Sequence, residues 1–342
     1  MRSRYIDSWR AIAVLLVVLS HLSQNVHIAV ILKALDASFM ATYGPVGVFI
    51  FFFISGHVVS RVCLQEIRSS GTFNIRGFYI RRIFRIAPPL LIYLTVCALL
   101  GVAGLIKFPM TEFIGASLYL CNSTQQLVPC GYISGHTWSL AFEEQFYLLF
   151  PMVFAAIELR RRIHPTIILA LGLSAVPFLL PIPWIGRTGF IIIYCLFSAG
   201  FLFAKYEAAV SKVLARAPTA FFIAAVTATF FPALALESLT LGKYYKFVYV
   251  ISIPVMVVAS SLTVGGTRAV FDSIVLSYFG RISYSIYLWQ QLVTSETFHQ
   301  SALVVQGCSI LLVVAWCALS FQFIERPLID WGRRLSNSPK SN

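Results

Sequence analysis

Charge in this chain sits in the seams between apolar stretches, and that spacing leaves few folds open. About ten stretches are long enough to cross a bilayer, which takes roughly 20 apolar residues in a helix. Their centres fall near Leu19, Phe52, Thr95, Tyr147, Ser174, Phe197, Ala228, Met256, Tyr287 and Val314. The alternating ten-residue segments of a membrane β-barrel are absent. The sequence therefore predicts an all-α, polytopic membrane protein. Charged residues are only 11% of the 342, against about 25% in a soluble domain. The first stretch is too long for the apolar region of a cleavable signal, so it reads as the first span.

The basic residues test the span count. Let the N-terminus be cytoplasmic and the spans alternate. Of the 26 Lys and Arg, 21 then fall inside or at inner helix ends, and only Lys33, Lys107, Arg187, Lys243 and Lys246 fall outside. This bias predicts an even count with both termini cytoplasmic. The net charge of +13 then reports topology and affinity for anionic lipid. Arginines scattered over several loops argue against nucleic acid as a partner. Short loops predict one integral-membrane domain over residues 1–335, followed by a polar, disordered tail at 336–342. No internal repeat is visible.

The inner segment from Arg61 to Pro89 differs from the rest. Phe78, Ile80, Ile83, Phe84 and Ile86 interleave with Arg76, Arg81, Arg82 and Arg85. The pattern predicts a basic amphipathic helix at the inner interface, ending at Pro88-Pro89. It either anchors on anionic headgroups or grips a phosphorylated ligand, since Arg82 and Arg85 stand one turn apart and guanidinium binds phosphate well. Most of the seven cysteines lie in apolar stretches as packing residues. Cys121 and Cys130 share the long outer loop and can pair if it faces an oxidising compartment. No Cys/His pair has zinc spacing, so no metal is expected.

Arg10 and His21 carry the sharpest chemical signal. Eleven residues turn a helix by about 1100°, roughly 20° from a whole number of turns. Both side chains then point the same way, about 16 Å apart along the axis. The arginine stands near a membrane surface and the histidine near the bilayer centre. An ionisable group at that depth is costly, so its default reading is functional. The competing reading is a neutral imidazole sharing one hydrogen bond with a neighbouring helix.

Further stretches join this pair: FFFISGHVVSR from Phe51, FYIRRIFRIAPP from Phe78, TWSLAFEEQFYLLFP from Thr137, GRISYSIYLW from Gly280 and FIERP from Phe323. In this order they resemble the integral-membrane acyltransferase family 3. These are bacterial enzymes that O-acetylate surface polysaccharides, Nod factors, macrolides and peptidoglycan. The resemblance covers nearly the whole chain. It places the family's Arg-x10-His pair on Arg10 and His21, its Arg-x-x-Arg on Arg82 and Arg85, and its Trp-Ser-Leu-x-x-Glu on Trp138, Ser139, Leu140 and Glu143. Two departures stand out. Gln290 follows SYSIYLW where the family often has His, and His57 follows the Ser-Gly of the second stretch, where an apolar residue is usual. His57 reads as a packed residue.

The resemblance implies transfer of an acyl group, in the first instance acetyl, from cytosolic acyl-CoA to a hydroxyl of a glycan or lipid-linked glycan. It implies a multi-pass protein of the bacterial inner membrane that uses acetyl-CoA as donor substrate. Arg76, Arg81, Arg82 and Arg85 at the inner rim suit the coenzyme phosphates. A pantetheine arm on the order of 15–20 Å matches the Arg10–His21 separation along a helix. His21 acts as general base or carries the acyl group, with Arg10 on the same face. Glu143 is expected to converge with His21 from the outer side and to orient the imidazole or bind the sugar. Trp138, Ser139, Tyr284 and Tyr287 are candidate substrate contacts, Trp138 by stacking on a sugar ring. Glu144 reads as a solvated outer charge, and Glu325 and Arg326 as a structural ion pair or anchor. Without the esterase-like domain that some peptidoglycan- and lipopolysaccharide-acylating relatives carry, the expected acceptors are O-antigen, exopolysaccharide, Nod factor or a small glycosylated metabolite. The alternative is a proton-coupled transporter or flippase, in which His21 and Glu143 relay protons. The missing repeats and broken helices of secondary transporters argue against it.

Overall fold

The computed structural model describes residues 3–23, 37–122, 130–159, 186–235, 245–294 and 303–337. Among these residues every regular element is a helix. In chain order they are α1 (Arg4–Leu22), α2 (Ala37–Ser70), α3 (Ile75–Val102), α4 (Met110–Ser117), α5 (Trp138–Leu159), α6 (Gly186–Lys205), α7 (Glu207–Leu214), α8 (Pro218–Ala235), α9 (Tyr249–Ser260), α10 (Gly265–Phe271), α11 (Ile274–Arg281), α12 (Ser283–Val293), α13 (Leu303–Ser320) and α14 (Arg326–Asn337). One helical turn precedes α5 at Tyr132–Gly135, and a π-turn at Phe321–Glu325 joins α13 to α14.

The protein is an all-α polytopic membrane protein. Four helical runs, Arg4–Leu22, Tyr43–Ser70, Ile75–Val102 and Gly307–Ser336, are each long and apolar enough to cross a membrane. Two bent pairs, Gly189–Lys205 with Glu207–Leu214 at 89° and Lys246–Ser260 with Gly265–Arg281 at 101°, also pass when each is taken as one span. That gives four to six spans among the described residues. The stretch centred near Ser174 lies outside those residues, as do Arg160 to Arg162. Ser336 and Asn337 belong to α14, and 338–342 lie outside the described residues.

The chain divides into two compact units. The first comprises Met1–Gly71 and Arg162–Ser283, the second Thr72–Arg161 and Tyr284–Asn342. In the first unit α2 packs along α1 and α6, α11 along α1, and α8 along α9. Glycines let these backbones touch. A Cβ on Gly200 would sit 2.5 Å from the His57 backbone nitrogen, and one on Gly56 would strike the Phe197 carbonyl. His57 is 1% exposed and stacks on Phe53 with ring centroids 5.7 Å apart. The start of α1 is pinned by Trp9, whose indole N–H donates to Ser260 Oγ at 2.8 Å and whose ring stacks on Phe271 at 4.9 Å.

In the second unit α3 departs from the sequence reading. Asn74 caps its first turn, Oδ1 accepting from the Gly77 backbone N–H at 2.8 Å. The helix then runs unbroken through Pro88-Pro89 to Val102, so the basic segment and the following span are one element. Proline removes a backbone donor and crowds the preceding turn, but inside a helical membrane protein neighbouring side chains re-satisfy the loosened carbonyls. The prolines leave the Phe84 and Arg85 carbonyls without their helical donors, and beside them Tyr284 adds a bond to the same turn, donating its hydroxyl to the Ile86 carbonyl at 2.7 Å. α14 packs along α3, with Trp331 edge-on to Phe84 at 5.0 Å. At the π-turn, Glu325 is buried and accepts from Ser285 Oγ, with Ser320 Oγ 3.5 Å away. Its carboxylate is within electrostatic reach of Arg85. Glu325 thus has partners other than the expected Arg326.

Candidate active site

In the first unit, Arg10 and His21 lie on one unbroken α1, as their spacing requires. Both are partly buried. Buried Ala11, Ala13, Val14 and Val17 fill the turns between them.

In the second unit, α3 and α5 bring a carboxylate, a phenol and a guanidinium together. Tyr147 donates its hydroxyl to Glu143 Oε1, one turn back on α5. The Arg82 guanidinium lies over the Tyr147 ring at 4.1 Å, a cation–π contact. Arg82 therefore joins the Glu143 network through Tyr147. Of the other arginines on α3, Arg81 Nη1 donates to Ser336 Oγ at 3.4 Å, Arg85 is within electrostatic reach of Glu325 and Arg76 is exposed.

The other residues taken from the motifs serve the scaffold as well. Ser139 Oγ and Tyr287 Oη are 2.7 Å apart, and the Tyr287 hydroxyl also reaches the His136 carbonyl. Tyr284 is committed to Ile86. Trp138 is partly buried and stands edge-on to Phe142 with centroids 6.0 Å apart.

The approach to α5 is clamped residue by residue. Tyr93 donates to the Ile133 carbonyl at 2.7 Å. Gln291 Nε2 donates to the Tyr132 carbonyl at 2.8 Å, and the Tyr132 hydroxyl to the Thr294 carbonyl at 2.7 Å. Glu112 from α4 accepts from Ser134 Oγ at 2.5 Å and lies against Gly131, where any side chain would strike Oε1. Burial raises the Glu112 carboxyl above its ordinary range, against the opposing pull of the Ser134 hydroxyl and the Gly131 and Ser134 backbone N–H groups. Cys121 and Cys130 form a disulfide with Cα atoms 5.6 Å apart, realising the pairing that the sequence left open.

Sequence reasoning missed Glu112, whose only signal was a carboxylate on a short helix near two cysteines. It also misplaced Glu144. Instead of a solvated carboxylate, its Oε1 is enclosed and meets no hydrogen-bond partner among the described residues.

Residues 3–322 match the family described as an acyltransferase domain. The chain belongs to this acyltransferase family. The match takes in α1 with Arg10 and His21, the arginines of α3 and the whole of α5. The chain is 27% identical over 380 residues to a candidate O-acetyltransferase of Staphylococcus aureus (strain COL), covering 98% of this chain and 59% of the relative. It is 24% identical over 357 residues to the peptidoglycan O-acetyltransferase of Listeria monocytogenes, covering 94% of this chain and 55% of that protein. A candidate peptidoglycan O-acetyltransferase of Bacillus subtilis is 31% identical over 163 residues, 44% of this chain and 24% of its own. The chain thus spans less than two thirds of the length of these relatives. No solved structure matches it.

Proposed function

We propose that the protein is a bacterial inner-membrane O-acyltransferase, moving an acetyl group from cytosolic acetyl-CoA to a hydroxyl of a surface glycan or its lipid-linked precursor. The observation that carries the reading is α1, one helix with an arginine and a histidine eleven residues apart. The names of relatives aligned over nearly the whole chain support O-acetyl transfer as the reaction and peptidoglycan or another polysaccharide as the acceptor class.

The roles follow from chemistry. Acetyl-CoA carries its phosphates at one end and its thioester at the other, about one pantetheine arm apart. In this reading, guanidinium groups of α3, with Arg85 foremost, take the phosphates by charge-assisted contacts. His21 removes the acceptor proton or carries the acetyl group between donor and acceptor, and Arg10 guides the arm along the same helix face. Glu143, held by Tyr147, serves the acceptor side. Overall the acceptor loses its hydroxyl proton, its oxygen gains the acetyl carbon, and the coenzyme leaves as the thiol.

Purified protein supplied with radiolabelled acetyl-CoA tests the reading. The wild type is expected to consume the thioester and label glycan. His21→Ala should insert normally and lose transfer by about 100-fold or more, the scale of a lost general base. Arg85→Ala should raise the apparent constant for acetyl-CoA by roughly 10-fold or more, since hydrogen bonds to charged groups are worth about 1.5–3 kcal/mol. A transporter would leave the thioester intact, and full activity in His21→Ala would remove that residue from the mechanism.

A further inference from the structure

We propose that Glu144 and Tyr119 form a hydroxyl-binding subsite for the acceptor glycan. The inference rests on the acyl-transfer reading and adds to it the residues that select a neutral, hydroxyl-rich acceptor.

The two adjacent glutamates of α5 are in different situations. Glu143 Oε1 already takes the Tyr147 hydroxyl. Glu144 Oε1 is enclosed and meets no donor among the described residues. Enclosed carboxylate oxygens are rarely left without a donor, because desolvation then goes uncompensated. The formal charges that act on Glu144 are Glu143 beside it and Arg82 on α3. Arg82 is stacked on Tyr147. Tyr284, near the same two carboxylates, gives its proton to Ile86. The open valence at Glu144 therefore awaits a donor from outside the described chain.

Tyr119, whose carbonyl meets the side chain of Gln145, is within electrostatic reach of Glu144. Its backbone adopts φ +55°, a conformation that bulky residues seldom hold without a compensating reason. Here the reason is the end of α4, where the Tyr119 N–H reaches the Ala116 carbonyl at 3.2 Å and the Leu120 N–H the Gly115 carbonyl at 2.9 Å. Gln145 Nε2 donates to the Tyr119 carbonyl at 3.4 Å, and the Gln145 side chain pairs reciprocally with Asn122 at 2.8 and 3.2 Å. Burial and the Glu144 and Glu143 carboxylates raise the Tyr119 phenol well above its ordinary range. It stays protonated and can donate at neutral pH.

An open acceptor with a phenol donor in electrostatic reach matches a sugar hydroxyl, which needs both. The Glu143 side chain next to Glu144 disfavours an anionic ligand. Glu144 would accept from the hydroxyl, Tyr119 would donate to it or to its neighbour, and ligand binding would satisfy the enclosed oxygen.

The test compares donor and acceptor constants in full-length protein reconstituted into nanodiscs, with labelled acetyl-CoA and the tetramer of N-acetylglucosamine as probe. Glu144→Gln replaces one carboxyl oxygen with an amide nitrogen. It is expected to raise the KM for the tetramer at least ten-fold and to move the KM for acetyl-CoA less than three-fold. Tyr119→Phe should shift the same constant in the same direction by a smaller factor. It decides the matter if Glu144→Gln does not elute as a folded peak. Both constants rising together, or neither moving, would overturn the subsite. A wild-type protein that leaves acetyl-CoA intact would instead overturn the acyl-transfer reading, and the subsite with it.

Discussion

In the unit built on α1, α2 and α6 glycines bring helices backbone to backbone, with Ser8 and Tyr43 adding hydroxyls to the Phe271 and Phe230 carbonyls, whereas the unit built on α3, α5 and α12 relies more on side chains that reach carbonyl oxygens. Gly56 and Gly200 leave no room for a Cβ against Phe197 and His57. Tyr93, Tyr284, Tyr287 and Gln291, by contrast, each extend a polar tip to a carbonyl of Ile133, Ile86, His136 or Tyr132. The first arrangement depends on shape and tolerates little substitution. The second depends on polar partners, so pH and redox state can reach it. The residues proposed to handle acetyl-CoA and the acceptor lie on both kinds of framework, Arg10 and His21 on the steric one and the Glu143–Tyr147–Arg82 network on the polar one.

The largest effect should come from breaking the steric unit. Gly56→Leu forces a side chain into the Phe197 backbone, and overpacking of this kind costs about 1–3 kcal/mol or more. Fluorescence size-exclusion should show loss of the folded peak, and a wild-type profile would mean that α2 and α6 can part at little cost. An intermediate effect is expected in the polar unit. Replacing Cys121 and Cys130 by serine opens a loop with a sequence separation of 9, which chain-entropy arguments value at about 2–3 kcal/mol. The variant should melt several degrees lower, and a reductant should lower the wild type equally while leaving the variant unmoved. The smallest effect concerns Glu112. Its folded carboxyl holds a proton more tightly than an exposed one, so the fold gains stability as pH falls from neutral through that raised value towards the ordinary carboxylate range. Thermal melts at about pH 7.5 and pH 5.5 should show this gain in the wild type. Glu112→Gln, which cannot titrate, should show a flatter response, and equal slopes would assign the effect to other groups.

Which parts were legible in the sequence follows from the same contrast. Arg10 and His21 were readable because helical spacing is local, and one continuous α1 follows directly from the apolar run. The disulfide was readable as an option, because two cysteines nine residues apart can close once their loop folds back. The course of α3 was not readable. Pro88-Pro89 argues locally for a stop, and the packing that carries the helix past them includes a hydroxyl from Tyr284, 198 residues away. Tyr284 and Tyr287 were legible as motif members but not as holders of the scaffold, for the same reason. Arg81 reads from sequence as one more cation of the inner rim. Its partner Ser336 lies in a stretch that composition marks as disordered tail, yet α14 runs to Asn337. Glu143 and Glu144 are adjacent and alike in sequence, and only packing separates the satisfied carboxylate from the enclosed, open one.

The π-turn at Phe321–Glu325 makes chain length itself a determinant of the fold. A π-turn amounts to one residue inserted into an α-helix, so everything after it is rotated by about 100° relative to an uninterrupted helix. That rotation points Trp331 and Gly332 of α14 at Phe84 of α3, close enough that a Cβ on Gly332 would lie 2.7 Å from the Phe84 Cβ. Deleting any single residue between 321 and 325 would restore regular helix and swing this face away from α3. Point substitutions in the turn would leave the aim unchanged, except at Glu325. Evolution at this junction is therefore freer to change letters than to change their number.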